Sequence, residues 1–420
     1  MGKTFVGFGF GPIQSGLFLY EAWQSGNFDR YVVAEVNCEL VRALGDNGGA
    51  YELNVAGQDH IETHTIEGVE LYDPNDQAGR RAIVDAIAQA DEIATSLPSV
   101  KFYDIGGQAS VAGILAEGLQ ARDHARPVVV YASENNNHAA EILAEILAGK
   151  TSPQALEKVQ ILNTVIGKMS GIISDQATIS QMKLRRITPK ISHAILVEEF
   201  NRILISRIDL AGFTRGITCF AEKADLLPFE EAKLYGHNAI HAMLAYLAEL
   251  RGYETVAQAR DDAELLAIAR RAFVDESGAA LCKRYATLDE PLFTLAGYGE
   301  YADDLIERMV NPNLHDLVER VGRDHLRKLG CDDRLFGTMQ LALRYDIEPV
   351  NLARGAAAGV VSMIRRAKEL AELPAHLPAS PEQLTRQGLA DLLGEIWATQ
   401  PEPAVAKKLV DLTWAELESM

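Results

Sequence analysis

Two sets of residues in this 420-residue chain have types and spacings that could do chemistry. The first follows an apolar run at residues 3–8 and reads Gly7-Phe-Gly9-Phe-Gly11-Pro-Ile-Gln14-Ser-Gly16. A strand-to-helix turn that holds a dinucleotide needs one glycine for the tight bend and a second that lets the backbone approach the pyrophosphate. It also needs a helix N-terminus whose free N–H groups hold the anion. Gly9 and Gly11 fit the first two requirements. Gln14 stands at the third glycine position of the fingerprint, so Gly16, one turn on, is expected to supply the close approach of helix to strand. Glu35 ends a second apolar run at 31–34, about 20 residues past the turn. A carboxylate there accepts hydrogen bonds from ribose hydroxyls and repels a 2′-phosphate, which favours NAD over NADP. Glycines also shape plain loops and acids also end solvated strands, but strand, turn, helix, strand and acid in this order point to a dinucleotide. Phe10, Pro12, Ile13, Val36, Asn37 and Thr95 complete the expected cofactor-binding set.

The second set lies in Pro228-Phe-Glu230-Glu231-Ala-Lys233-Leu-Tyr-Gly-His237-Asn238-Ala-Ile-His241. On a uniform α-helix Lys233, His241 and Asn238 fall at roughly 0°, 80° and 140°, one broad face. Three hydrogen-bonding side chains thus project together where the surrounding pattern expects core. A solvated face with a satisfied histidine is the plainer alternative. The apolar run that follows at 242–247 argues against a wholly exposed helix.

The elements that must position these residues are of two kinds. Apolar runs at 3–8, 31–34, 93–95 and 127–131 alternate with helical patterns at 13–23 and 81–90, which predicts an α/β, doubly wound Rossmann-type sheet opening on a βαβ unit. Residues 159–169 could continue the sheet, and 194–206 could be a strand running into a helix. Beyond Leu227-Pro228 the amphipathic stretches 233–252, 257–273, 301–309 and 314–321 predict a mainly helical region. A Pro-containing link at 373–381 then precedes two last helices, a C-terminal cap. The expected division is 1–200 for the NAD-binding domain and 201–420 for a helical substrate domain.

Composition narrows the classes. Apolar residues make up 48 % and charged ones 24 %, with a formal net charge of −19. This is a globular balance that argues against a general nucleic-acid or anionic-membrane surface, so any anionic substrate needs a local basic pocket. The four cysteines are far apart with no ligand spacing, and no metal is expected. The N-terminus lacks a signal-peptide pattern, and cytoplasmic residence is the expectation. Arg320, Arg323, Arg327, Lys328 and Arg334 form the densest basic run, and Arg323, Arg327 and Lys328 are the candidates for a substrate phosphate. Glu319, Asp324, Asp332 and Asp333 could equally pair such a run as a solvated face.

Lys233-x4-Asn238-x2-His241, the glycine turn and Ala34-Glu35-Val36-Asn37 together resemble the polyol-specific long-chain dehydrogenase/reductase family. So do Glu276-Ser-Gly-Ala-Ala-Leu-Cys-Lys-Arg-Tyr285, Asn311-Pro-Asn-Leu, and Val318-Glu-Arg-Val-Gly-Arg323 through Leu326-Arg-Lys-Leu329 to Asp333-Arg334. The resemblance runs from residue 3 to about residue 360. It implies an NAD-dependent, metal-independent oxidoreductase that interconverts a polyol or polyol phosphate, like mannitol 1-phosphate, with the ketose, acting as a monomer or homodimer. It further implies that Lys233 is the acid/base group and that Asn238 and Asn135, in Ser133-Glu134-Asn135, hold the reacting oxygen. His241 would orient substrate hydroxyls and Glu230 would link the lysine to solvent. Gln14, Asn136-Asn137-His138 and Gly167-Lys168 depart from the family pattern. Dehydrogenation of a free hexitol, reduction of a hexuronate, and a non-catalytic NAD-binding sensor are the alternatives.

Overall fold

In the computed structural model, which describes residues 2–370 and 372–420, the opening run forms β1 (Lys3–Phe8), followed by β2 (Phe28–Ala34), β3 (Tyr51–Ala56) and β4 (Ile61–Ile66). Then come β5 (Val69–Tyr72), β6 (Glu92–Thr95), β7 (Val128–Ala132), β8 (Val159–Val165) and β9 (Ser170–Ile173). The last three are β10 (Ala194–Glu198), β11 (Leu204–Ser206) and β12 (Ala221–Lys223). The larger sheet has the order β12-β11-β8-β7-β6-β1-β2-β5, with every pair from β8 to β5 parallel. Its central strands are buried on both faces, which is why they read as unbroken apolar runs. Alternate residues still separate: Phe5, Tyr31, Val129 and Tyr131 enter one core, while Val6, Val32, Ile93 and Val130 enter the other. Each such buried side chain contributes about 1.5–3 kcal/mol.

The chain leaves β1 for β2 and β5 on one flank and returns to β6 on the other. That reversal opens a crevice beyond the C-terminal ends of β1 and β6, where open α/β sheets bind ligands. Ser96 N donates to Phe8 O at 3.1 Å and Gly9 N to Ala34 O at 2.8 Å, so the two strand ends and the glycine turn are pinned together.

Several expectations need correction. Residues 194–206 do not run from strand into helix. A tight turn, with Ile203 N donating to Asn201 O at 2.8 Å, separates β10 from β11 and sends them to different sheets. A second sheet, β4-β3-β10-β9, went unforeseen; it packs under the helix that follows β1, where Tyr51 Oη donates to Ser15 O at 2.6 Å. The division also lies later than residue 200. Because β11 pairs with β8 and β12 with β11, the first unit spans Met1–Leu227 and the second Pro228–Met420.

The second unit is helical. Val350–Arg365 packs along Ala239–Leu250, with Gly355 against Met243 and Gly359 against Tyr246. The helix expected at 314–321 is broken, because His315 adopts a left-handed φ of 48° after the 3-10 turn Pro312–Leu314, and the α-helix is confined to Val318–Gly322. Residues 257–273 split at Asp262, whose carboxylate caps the following helix by accepting from Leu265 N at 3.0 Å. The closing helices Arg386–Ile396 and Pro403–Ser419 pack into this unit. Trp397 Nε1 donates to Leu329 O at 3.1 Å, so they are part of its core rather than a separate cap.

Candidate active site

The glycine turn has the geometry its sequence predicts. Gly9 adopts φ +83°, and a Cβ there would lie 3.0 Å from Ser96 O, while a Cβ on Gly11 would meet nothing within 4 Å. One glycine is needed for the bend; the other leaves open space beside the helix N-terminus. Both oxygens of Glu35 are fixed by this turn and its own strand end: Oε2 accepts from Phe10 N at 2.7 Å and Oε1 from Asn37 N at 2.8 Å. A carboxylate keeps further lone pairs after two such bonds, so it can still accept from a diol. Asn37 in turn caps Cys38–Asp46, accepting from Glu39 N and Leu40 N. Gly11, Pro12 and Ile13 are partly exposed, Val36 is exposed and Phe10 is buried against Tyr51. Open backbone, a free helix end and a fixed acid fit an NAD adenosine diphosphate.

Two residues of this half are placed otherwise than expected. Gly16 does not bring the helix onto β1, since a Cβ there would press on Val197 and Leu53 of the second sheet. The close approach is made at Gly7, whose missing Cβ leaves room for the buried Gln14 amide. Glycine and bulk have thus changed places across the helix–strand contact. The helix opens at residues 12 and 13 and widens into a π-helix at Gln14–Phe18, and neither Gln14 Nε2 nor Oε1 has a hydrogen-bond partner. Thr95 is wholly buried and its hydroxyl donates to Glu134 Oε2 at 2.9 Å, so it anchors the strand end instead of facing a ligand. Glu134, whose burial no local sequence pattern signals, also accepts from Leu97 N at 2.9 Å and from Tyr103 Oη. Burial raises its pKa against these bonds. It ties the loops after β6 and β7 together beneath Asn135, which is exposed.

In the second unit the helix carrying Lys233 is not uniform. Leu227–Glu231 is α-helical, Ala232–Asn238 is a π-helix, and Ala239–Leu250 is α-helical again. An i→i+5 turn is wider than an α-helical one and brings residues four and five apart toward one face. Lys233 and Asn238 therefore lie closer to one face of the helix than the 140° that uniform α-geometry gives. The wide turn is held from outside. Tyr235 O accepts from Ser277 Oγ at 2.8 Å and from Thr338 Oγ1 at 3.3 Å. Gly236 sits where a Cβ would fall 2.6 Å from Tyr298 Oη and 2.7 Å from Phe273 Cε2.

Lys233 keeps some exposure, yet burial, with the Arg334 charge second and Glu230 opposing, lowers its pKa from 10.5 to about 8. At pH 8 an unshifted lysine would be neutral in only about one molecule in three hundred. Glu230 is buried one turn before it. His241 Nε2 lies 3.0 Å from Asp316 Oδ2, and Asp316 also pairs with Arg320. Burial alone would raise the Asp316 pKa; His241 and Arg320 outweigh it and hold it at about 2. Asp316, Arg334 and His237 were missed as site residues by sequence reasoning. Only His237, four positions from both Lys233 and His241, carried a readable signal.

The three phosphate candidates do not form one group. Arg323 and Arg327 are exposed, and Arg327 pairs with Asp324 at 3.3 Å. Lys328 is buried, donates to Val321 O, and is lowered to about 7 by burial first and the Arg334 charge second. On this short stretch the side chains alternate between solvent and core, which separates neighbours in sequence.

Residues 225–374 match the mannitol dehydrogenase C-terminal domain family. Over 363 residues the chain is 29% identical to a mannitol-1-phosphate 5-dehydrogenase of Anoxybacillus flavithermus, covering 84% of this chain and 86% of the relative. A mannitol-1-phosphate 5-dehydrogenase of Shouchella clausii is 28% identical over 324 residues, 76% of this chain and 78% of the relative. The fold is that of Pseudomonas fluorescens mannitol 2-dehydrogenase, solved as a ternary complex with NAD and D-mannitol. Its TM-score is 0.73 at 16% identity, covering 100% of this chain and 94% of that one.

Proposed function

We infer that this chain is a member of the polyol-specific long-chain dehydrogenase family and an NAD-dependent enzyme interconverting a polyol or polyol phosphate with the corresponding ketose. The observation that carries the chemistry is the π-turn that brings Lys233 and Asn238 toward one face, with the lysine's pKa lowered to about 8. When bound, NAD accepts a hydride at its nicotinamide C4. What remains for the protein is to remove the hydroxyl proton and hold the oxygen. The neutral Lys233 amine accepts that proton. The side-chain amide of Asn238 donates to the oxygen as negative charge develops on it, and Asn135 is proposed as a second amide donor. His241, held by Asp316, orients a neighbouring substrate hydroxyl, and Glu230 is proposed to link the lysine to solvent. Gly9 and Gly11, with the free helix end at Ile13, are proposed to hold the pyrophosphate, and Glu35 the adenosine ribose.

A mannitol 1-phosphate-like substrate is the reading closest to the curated relatives. The exposure of Arg323 and Arg327 favours a second reading, in which the substrate is an unphosphorylated hexitol or a hexuronate. No helix among the described residues is long and apolar enough to cross a membrane. Action in the cytoplasm as a monomer or homodimer completes the proposal. A panel of polyols, polyol phosphates and sugar acids, screened for NADH formation above the lysine's value of about 8, tests it. Oxidation of a polyol phosphate in preference to its parent polyol is expected. Turnover of no member of the panel would contradict the reading.

A further inference from the structure

Lys233, His237 and His241 recur at intervals of four along one helix, and the middle residue has no part in the scheme above. His237 is buried, 5 % exposed, inside the π-turn Ala232–Asn238. In this wide turn residues four apart lie nearly above one another, so the imidazole follows the lysine along the helix axis by about one turn. The His237 and His241 ring centroids are 6.0 Å apart, a separation that one bridging water spans. His241 stands 3.0 Å from Asp316 and keeps 16 % of its side chain exposed. A row of amine, imidazole, imidazole and carboxylate thus leads from the lysine to a group that touches solvent.

The charged and titratable groups around His237 are Lys233 and His241 on its own helix, Arg308 from Leu295–Met309 and Asp316 from the segment before Val318–Gly322. Burial first, then the positive neighbours, keep its pKa well below 6.5, so the ring is neutral where Lys233 titrates. A neutral imidazole accepts a proton at one nitrogen while releasing one from the other.

We propose that His237 conducts the proton taken up by Lys233 to His241, from which it passes to solvent. The Lys233 ammonium loses one proton to one ring nitrogen of His237, and the opposite nitrogen gives its proton to His241. The His241 imidazolium is held beside the Asp316 carboxylate until water removes the proton. Lysine and both histidines then return to their starting charges, and no electron moves. The inference rests on the reading of Lys233 as the base, and it adds a second outlet beside the Glu230 carboxylate.

Two measurements test it. In protein labelled with ¹⁵N-histidine, the His237 ring signals should show a step near the Lys233 value of about 8 that disappears in Lys233→Met. Absence of that step in the wild-type chain overturns the relay, whether or not a substrate is known. In steady-state oxidation near pH 7, His237→Leu and His237→Gln should each lower kcat by about tenfold. KM and NAD affinity should change little, and added imidazole should recover the rate. Leucine fills the site without polarity and glutamine restores a polar group that cannot relay protons. A folded His237→Gln enzyme with the wild-type kcat and pH profile therefore overturns the proposal. Inactivity of the wild-type chain on every polyol would instead count against the function, leaving the ¹⁵N signals to decide the coupling.

Discussion

The dinucleotide turn of the first unit and the lysine helix of the second both contain a π-helical turn, yet they are built from different material. Around Gly9 the backbone makes the site, through a positive φ, open space at Gly11 and N–H groups that hold Glu35. Around Lys233 the side chains make it, and a wide turn decides which of them meet. The two π-turns also differ in how their polar groups are satisfied. Tyr235 O has two hydroxyl donors, whereas the amide of Gln14 is buried with none. A backbone site is legible from glycine spacing. A side-chain site depends on a helical period that neighbours such as Ser277, Thr338 and Tyr298 impose.

If the two halves are independent in this sense, Lys233→Ala should lower turnover by about a hundredfold or more and leave NAD affinity nearly unchanged. Calorimetric titration with NAD beside a turnover assay checks both at once. Coupled loss of binding and turnover would break the distinction. Gly236→Ala should next cost about 1–3 kcal/mol of stability, because its methyl group meets Tyr298 and Phe273. Denaturant unfolding measures the loss, and turnover should fall with it as the π-turn shifts. In the first half, Glu35→Ala should narrow a preference for NAD over NADP of at least about tenfold, or about 1.4 kcal/mol. Equal wild-type binding of the two nucleotides would remove Glu35 from the cofactor site. The smallest effect is expected at Gln14. Gln14→Met keeps the shape and deletes the unsatisfied amide, which should stabilise the protein by about 1 kcal/mol and raise Tm. A fall in Tm would show that the amide has a partner and that the two π-turns are not so unlike.

How much was readable in advance follows the same line. Strands β1, β6 and β7 are buried on both faces, so their apolar runs stood out, whereas β3 and β4 carry polar residues such as Asn54 and His64 and escaped notice. Asn54 is buried because Arg185 O and Ile195 O accept from its amide, partners more than a hundred residues away that no local pattern shows. In the site, the identities of Lys233, Asn238 and His241 were visible, but their relative directions were not, since a uniform helical period hides an inserted residue. Asp316 and Arg334 reach the lysine helix only through the packing of the second unit. The basic run from Arg323 to Arg334 shows the reverse error. Contiguity suggested one cluster, and the turns at Asp324 and Gly330 turn Arg327 outward and bury Lys328.

The central claim is that Lys233 works as a base because the second unit holds it near neutrality. The most direct measurement is the rate of the first turnover of polyol oxidation as a function of pH, by rapid mixing with NAD. Only the neutral amine accepts the hydroxyl proton, so the rate should rise about tenfold per pH unit below the Lys233 value of about 8 and level off above it. Ketose reduction, which needs the ammonium, should fall across the same interval. A rate independent of pH through that interval, or the same profile retained in Lys233→Ala, would contradict the account.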